Sequence, residues 1–295
     1  MTYRLARPLL AALCLAAGGA SAADLLPTSD FARRAPITDP ALSPDGLHVS
    51  VAYHDPDGKT HGLAIFAVTD MHTPITLIRM PPYELPASSA WTSNTRLVVA
   101  RGKVDGSIGS AYATGEVMAV DIDGKNPDYL YGPEAYGRRS ATRATDQGWG
   151  EIEGRPPQSN GHFYMRTTGW GDLNRSTLYD VDAKSSSRRQ MTDIGIGGMS
   201  FMIDPAGVPR FSYGTNDKQE WVVFRRDANG GWAKVAADRE HQWFHPVAQV
   251  AGSTRMYARY SPGGIGGEFV EQDEDGGNRR VIAKDDFSDV TSGGL

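Results

Sequence analysis

Along most of the chain, apolar and polar residues alternate in short runs separated by clusters of Gly, Pro, Asp, Asn and Ser. Period-two alternation in runs rich in Val, Ile, Tyr and Phe predicts half-buried β-strands. No helical period is sustained after residue 22. The runs group into five units, each opening on a turn and continuing with three strands. The first opens at Ser43-Pro44-Asp45-Gly46 and reads HVSVAYH (48–54), LAIFAVT (63–69) and ITLIRM (75–80). The second opens near Thr92-Ser93-Asn94, with RLVVARG (96–102), EVMAVDI (116–122) and DYLYGP (128–133). The third opens at Ser159-Asn160-Gly161, with HFYMRTTG (162–169), STLYDVD (176–182) and RRQMTDI (188–194). The fourth opens at Asp204-Pro205-Ala206-Gly207, with VPRFSYG (208–214), EWVVFRRD (220–227) and WAKVAA (232–237). The fifth opens at Ala251-Gly252-Ser253, with RMYARY (255–260), EFVEQDE (268–274) and RRVIAK (279–284).

A tight turn follows the second strand of each unit. It is built by Thr69-Asp70, Asp121–Gly124, Asp180–Asp182, Asp227–Gly230 and Asp273–Gly276. Asp, Asn and Gly suit such turns through side-chain bonds to the backbone and tolerance of positive φ. The units recur every 44–60 residues. Three or four strands at that period predict the blades of an all-β propeller, with about five blades of three to four antiparallel strands each. The expected blades lie near 43–82, 91–133, 157–194, 200–237 and 247–290 within a domain covering 23–295. A pair of β-sandwiches is the rival architecture. The six tryptophans, at 91, 149, 170, 221, 232 and 243, are expected at blade–blade contacts or sheet rims.

Composition agrees with this reading. The 295 residues include 34 Gly and 18 Pro, which supply the punctuation between strands. With 40% hydrophobic and 22% charged residues, the chain has the composition of a globular protein rather than a disordered one. The net charge of −5 is a poor electrostatic match to nucleic acid.

Residues 1–22 have the pattern of a secretory signal peptide. Arg4 and Arg7 precede an apolar run from Leu9 to Ala17, and Ala20-Ser21-Ala22 offers a cleavage site. A lipid anchor at Cys14 is the alternative, and the bulky Leu13 before it argues against that. Cleavage after Ala22 would leave a periplasmic or secreted chain with no membrane segment, two charges more negative. It would also remove the only cysteine. Disulfides, thiolate metal sites and a cysteine nucleophile are then excluded.

The N-terminal stretch LPTSDFARRAPITDPALSPDGLHVSVAY (26–53) resembles the opening of the propeller in S9-family serine peptidases, the prolyl oligopeptidase and acylaminoacyl-peptidase group. Phe31-Ala32-Arg33-Arg34 and Leu42-Ser43-Pro44-Asp45-Gly46 carry the resemblance. The stretch DDFSDVTSGG (285–294) resembles part of a late blade. The Ser-Pro-Asp-Gly turn is shared with TolB-type propellers. The resemblance implies a seven- or eight-bladed ring that caps and filters access to a separate α/β-hydrolase domain. There a serine on a G-x-S-x-G elbow, a histidine and an aspartate do the chemistry. No G-x-S-x-G occurs in this sequence. Gly109-Ser110-Ala111 and Gly197–Phe201 come nearest, and both lack the flanking glycines. The triad therefore has no counterpart here and no catalytic residue is assigned. The expectation is an incomplete ring, truncated before a hydrolase domain of about 250 residues.

Other constellations read as structural. His241 and His245, four apart in HQWFH, would share a face on a helix, but Pro246 and the strand-rich surroundings point to an inter-blade loop. Asp55–Gly58 and Asp273–Gly276 lack the calcium-loop pattern and read as turns. Asp285, Asp286 and Asp289 read as a solvated loop. Arg138, Arg139 and Arg143 lie in a long connection and could meet a peptide carboxylate, but a solvated loop or outer strand accounts for them better. No metal ligand and no cofactor is assigned.

Three functions stay open: the gating propeller of an S9-type peptidase, acting on oligopeptides through a missing or separate hydrolase domain and inactive alone; a non-catalytic, TolB-like periplasmic binding propeller; and a propeller enzyme with a channel metal. The seven histidines recur at no common blade position, which disfavours the last.

Overall fold

The computed structural model describes residues 27, 35–105, 111–134, 146–235, 244–250, 252–261, 267–285 and 288–290. The chain divides into two units, Met1–Arg34 and Ala35–Leu295, and the fold below is that of the second. Phe31–Arg34, the arginines at 138, 139 and 143, His241 and the segment 1–22 fall outside the described residues.

All twenty described elements are strands. They form five four-stranded antiparallel sheets, each a simple meander in chain order. Sheet 1 holds β1 (Ile37–Leu42), β2 (His48–His54), β3 (His61–Ala67) and β4 (Thr76–Arg79). Sheet 2 holds β5 (Glu84–Ser93), β6 (Arg96–Val104), β7 (Ala111–Asp121) and β8 (Asp128–Tyr131). Sheet 3 holds β9 (Gly148–Gly154), β10 (His162–Gly169), β11 (Ser176–Asp182) and β12 (Arg188–Ile194). Sheet 4 holds β13 (Ser200–Ile203), β14 (Pro209–Thr215), β15 (Trp221–Arg226) and β16 (Trp232–Lys234). Sheet 5 holds β17 (Phe244–Gln249), β18 (Arg255–Tyr260), β19 (Glu268–Asp273) and β20 (Arg280–Ala283). This is the all-β blade architecture expected from the repeats.

Every sheet has four strands, and its first strand is one the turn-and-hairpin pattern does not reveal. The reason is local. All five first strands pair with their neighbours through a register shift. Three carry proline beside that shift: Pro40, Pro86 and Pro246. A first strand has one hydrogen-bonded neighbour only, so a missing N–H is tolerated there. The bulge and the proline break the alternation that identifies a strand from sequence.

Successive first strands contact one another, from β1 to β5, β9, β13 and β17, which puts them on the inside of the array. The core lies between sheets. Ala52 and Leu63 of sheet 1 meet Val99 and Met118 of sheet 2. Val98 and Val117 meet Phe163 and Met165 of sheet 3. Tyr164 and Leu178 meet Phe201 and Val222 of sheet 4. Met202 and Phe211 meet Phe244 and Met256 of sheet 5. Adjacent residues of one strand thus serve opposite interfaces, as Phe163 and Tyr164 do. A strand buried on both faces loses its polar positions, which explains the unbroken apolar Leu97–Ala100.

Three tryptophans tie neighbouring sheets by hydrogen bonds as well as packing. Trp91 Nε1 donates to the Ala41 carbonyl at 3.1 Å, Trp221 Nε1 to that of Phe244 at 3.1 Å, and Trp232 Nε1 to that of Asp193 at 2.8 Å. These fulfil the expectation of packing between blades. Trp149 and Trp170 differ: they meet edge to face at 6.1 Å and remain 44% and 46% exposed. Trp243 is outside the described residues.

Candidate ligand site at the inner strands

Two of the polar clusters among the described residues draw on first strands. One belongs to sheet 2, where β5, β6 and β7 bring Glu84, Arg101 and Glu116 together. Arg101 is buried and pairs with Glu84, with Glu116 at 2.9 Å and with Glu134 at 3.0 Å. Burial raises the Glu116 carboxyl above its usual range, against the pull of Arg101. Burial opposes the charged guanidinium, but the hydrogen bonds it donates to Glu84 and Glu134 outweigh this and hold it further toward its charged form. All of its charge is matched by protein carboxylates, so the cluster is a structural network.

The other cluster is spread over the inner strands of sheets 3, 4 and 5. On β9 the alternating Trp149, Glu151 and Glu153 share one face. Arg166 on β10 lies directly across from Glu151 and pairs with it, and its Nε is 2.6 Å from Glu153 Oε1. Glu153 also accepts the Phe201 amide of β13 at 3.1 Å, so it bridges two sheets. Burial pushes its pKa up to about 7, and Arg166 only partly offsets that.

Tyr213 of β14 follows on the next blade. Burial, then the charge of Glu153, raise its phenol well above the usual range. Its ring meets His245 of β17 edge to face at 4.5 Å, and Trp221 stacks on the same imidazole at 5.7 Å. His245 lies directly opposite Arg259 of β18. Residues so placed have neighbouring Cβ atoms, so the two side chains are adjacent. Burial, with Arg259 adding to it, lowers the His245 pKa to about 4. The imidazole is therefore neutral at physiological pH.

His245 was expected in an inter-blade loop beside His241; it stands instead on an inner strand, in an aromatic and cationic setting. Asp55 and Asp57 occupy a turn, Asp57 accepting the Lys59 and Thr60 amides at 2.7 and 2.8 Å. Asp273–Gly276 is likewise a turn, closed by the Gly276 amide on the Asp273 carbonyl at 2.9 Å. Among the described residues no group of three His, Cys, Asp or Glu is placed to hold a metal. Open clefts lie beside the turns, the larger reaching the end of β5 at Thr92 and Ser93. One, of about 430 Å³, is flanked by Arg189, Arg210 and Arg226, and the other, of about 960 Å³, by Arg96, Asp121, Asp128 and Asp182.

Glu153, Arg166, Tyr213 and Arg259 were not singled out from the sequence. Each sits within a strand-like run and is separated from its partners by tens of residues. The available signal was the pair of acids in GWGEIEG (148–154) and the arginines inside otherwise apolar runs.

No protein-family description matches the sequence, and no curated protein is significantly similar to it. Solved structures similar to the chain include dipeptidyl peptidase 4 of Porphyromonas gingivalis, at 12% identity and a TM-score of 0.47 over 84% of this chain and 39% of that one. Oligopeptidase B of Leishmania major aligns at 7% identity and a TM-score of 0.48, over 84% of this chain and 40% of that one. A TolB-like protein of Agrobacterium tumefaciens aligns at 14% identity and a TM-score of 0.41, over 84% of this chain and 80% of that one. The chain thus spans about two fifths of the two peptidases. At these identities and scores the alignments transfer neither an activity nor a site residue. The class of protein rests on the five sheets: an all-β array of propeller blades.

Proposed function

We propose that this chain is the substrate-gating propeller of an S9-type serine peptidase that acts on oligopeptides, exported by its N-terminal segment and without hydrolytic chemistry of its own. The observation that carries the reading is the turn on which the resemblance rests. Ser43 Oγ donates to Asp45 Oδ1 at 2.6 Å and accepts the His48 amide at 2.9 Å, while the Gly46 amide closes on the Ser43 carbonyl at 2.9 Å. Serine, aspartate and glycine each have a defined part in it. The turn joins β1 to β2, so it sets the inner hairpin of the first blade.

The same turn occurs in TolB-type propellers, which supports a second reading as a non-catalytic periplasmic propeller for protein or ligand binding. One experiment separates them. The purified chain is treated with a fluorophosphonate serine-hydrolase probe and titrated with a mixed library of short unstructured peptides. The gating reading expects no labelling and saturable peptide binding. Labelling of a serine in this chain would overturn the non-catalytic part. Failure of every peptide, with capture of folded partners, would transfer the assignment to the second reading.

A further inference from the structure

We propose that Arg259, Tyr213 and His245 form a binding site for a single carboxylate, that of an oligopeptide C-terminus. The peptide part of this statement rests on the reading above; the anion site does not.

Three observations lead to it. The first is that Arg259 lacks a counter-ion where counter-ions are plentiful. Its strand neighbour Arg255 pairs with Asp273 at 2.9 Å and Glu271 at 3.4 Å, and Arg280 also pairs with Glu271. Arg166, on the nearby sheet 3, takes two glutamates. Among the described residues Arg259 makes no ion pair, and its Nε is shut off from solvent with no acceptor. The guanidinium is half-buried and carries its charge without a protein counter-ion, and its remaining N–H groups can take an anion.

The second observation is convergence. Arg259 and His245 are direct cross-strand neighbours, and Tyr213 is 4.5 Å from the His245 ring, centroid to centroid. Among the described residues neither the Tyr213 hydroxyl nor the His245 ring has a hydrogen-bond partner in the protein. Three residues with donors therefore lie close together on β14, β17 and β18 of two different blades, Arg259 near enough to act on the Tyr213 phenol. Arg259 Nε is the buried one of these groups; the hydroxyl and the imidazole keep their donors free for an incoming acceptor.

The third is charge. A guanidinium matches a carboxylate through two parallel bonds, and a phenol adds a third donor. A neutral imidazole donates one more without adding positive charge. Arg166 also reaches Tyr213 but is matched by its two glutamates, so the unmatched positive charge is that of Arg259 alone. Glu153 and Glu151 stand on the neighbouring blade, where Glu153 already acts on Tyr213. A phosphate dianion would meet that repulsion with one cation to balance it. The Trp221 ring stacked on His245 offers a flat apolar wall for the group that carries the carboxylate.

The test is isothermal titration of the whole chain with N-acetyl-trialanine, with its C-terminal amide, with acetate and with inorganic phosphate. The free acid is expected to bind saturably and the amide at least tenfold more weakly, since a hydrogen-bonded charge pair is lost. Arg259→Gln is expected to weaken the acid about tenfold and leave the amide unchanged. Arg259→Lys keeps the charge without the fork and should fall between. Tyr213→Phe should weaken the acid several-fold. Equal affinity for acid and amide, indifference to Arg259→Gln, or phosphate binding tighter than the free acid would each overturn the site. Peptides that bind without regard to Arg259 would sink this site while sparing the gating reading. Acetate that binds through Arg259 while no peptide gains affinity over it would keep the anion site and reject the peptide. Circular dichroism melts of each variant establish that a loss is not unfolding, and Arg259→Lys serves where Arg259→Gln does not fold.

Discussion

Replacing Arg101 by methionine would strand Glu84 and Glu116, both about 6% exposed, without their shared cation. Breaking a buried pair from one side costs roughly 3–5 kcal/mol, because the carboxylates left behind are poorly solvated and Glu84 keeps only the exposed Lys103 at 3.5 Å. The expected result for Arg101→Met is a fall in urea midpoint of that size, with little change in slope. Changing Arg101, Glu84 and Glu116 together to apolar residues should recover much of it. Arg259 is the opposite case, a guanidinium without acids, and its removal should cost little stability. Neither behaviour was legible in the sequence. Arg101 and Arg259 both sit in apolar runs of identical appearance, RLVVARG and RMYARY. What separates them is which carboxylates the folded chain brings near, and for Arg101 those come from residues 17 positions before and 15 and 33 after.

At the scale of elements, the second to fourth strands of each sheet were readable because local chemistry writes them. Alternation gives the strand, and Asp with Gly gives the turn. In sheet 2 the turn is closed by the Gly124 amide on the Asp121 carbonyl at 2.8 Å, with Gly124 at φ 77°. The first strands were hidden by their prolines and register shifts. How closely the sheets approach was hidden as well. Gly115 of β7 shows this: it has φ 83°, and a Cβ there would stand 2.6 Å from the Trp149 Cα of β9. That contact is backbone against backbone and cannot be relieved by a side-chain rotation. Gly115→Ala therefore combines a strained conformation with forced separation of sheets 2 and 3. Its melting temperature should fall by several degrees or more, a loss of about 2 kcal/mol or above, measured by circular dichroism.

For the whole molecule, two inner-strand groups pull its pH response in opposite directions. Glu153 keeps its proton to about pH 7 in the fold but releases it near 4.5 when unfolded. Stability is then lost as pH rises between those values, by at most about 3 kcal/mol. The unfolded chain protonates His245 near 6.5, whereas the fold resists until about 4. Stability is then lost as pH falls through that window, by a smaller amount because solvent reaches the ring. The two windows overlap, so the intact protein should show a muted dependence from pH 4.5 to 6.5. Glu153→Gln should lose stability on acidification, and His245→Gln should lose it as pH rises. Urea midpoints at three pH values test both; parallel curves for all three proteins would refute the assignment. The repeat pattern announced the blade architecture, because it is local. This balance was not announced, because it depends on which strands face one another across the array.

The indole bonds of Trp91, Trp221 and Trp232 have a consequence for how such an array comes apart. Each of these N–H protons belongs to no sheet's own ladder; its acceptor is a carbonyl on the adjoining sheet. An indole proton is therefore freed when two blades part, even while each blade's internal amides stay protected from solvent exchange. Contact between nearest neighbours makes stability a sum along a line. The three tryptophans mark separate links in that line: sheets 1 and 2, 4 and 5, and 3 and 4. Whether the blades come loose singly or all at once is thus inscribed in three exchangeable hydrogens.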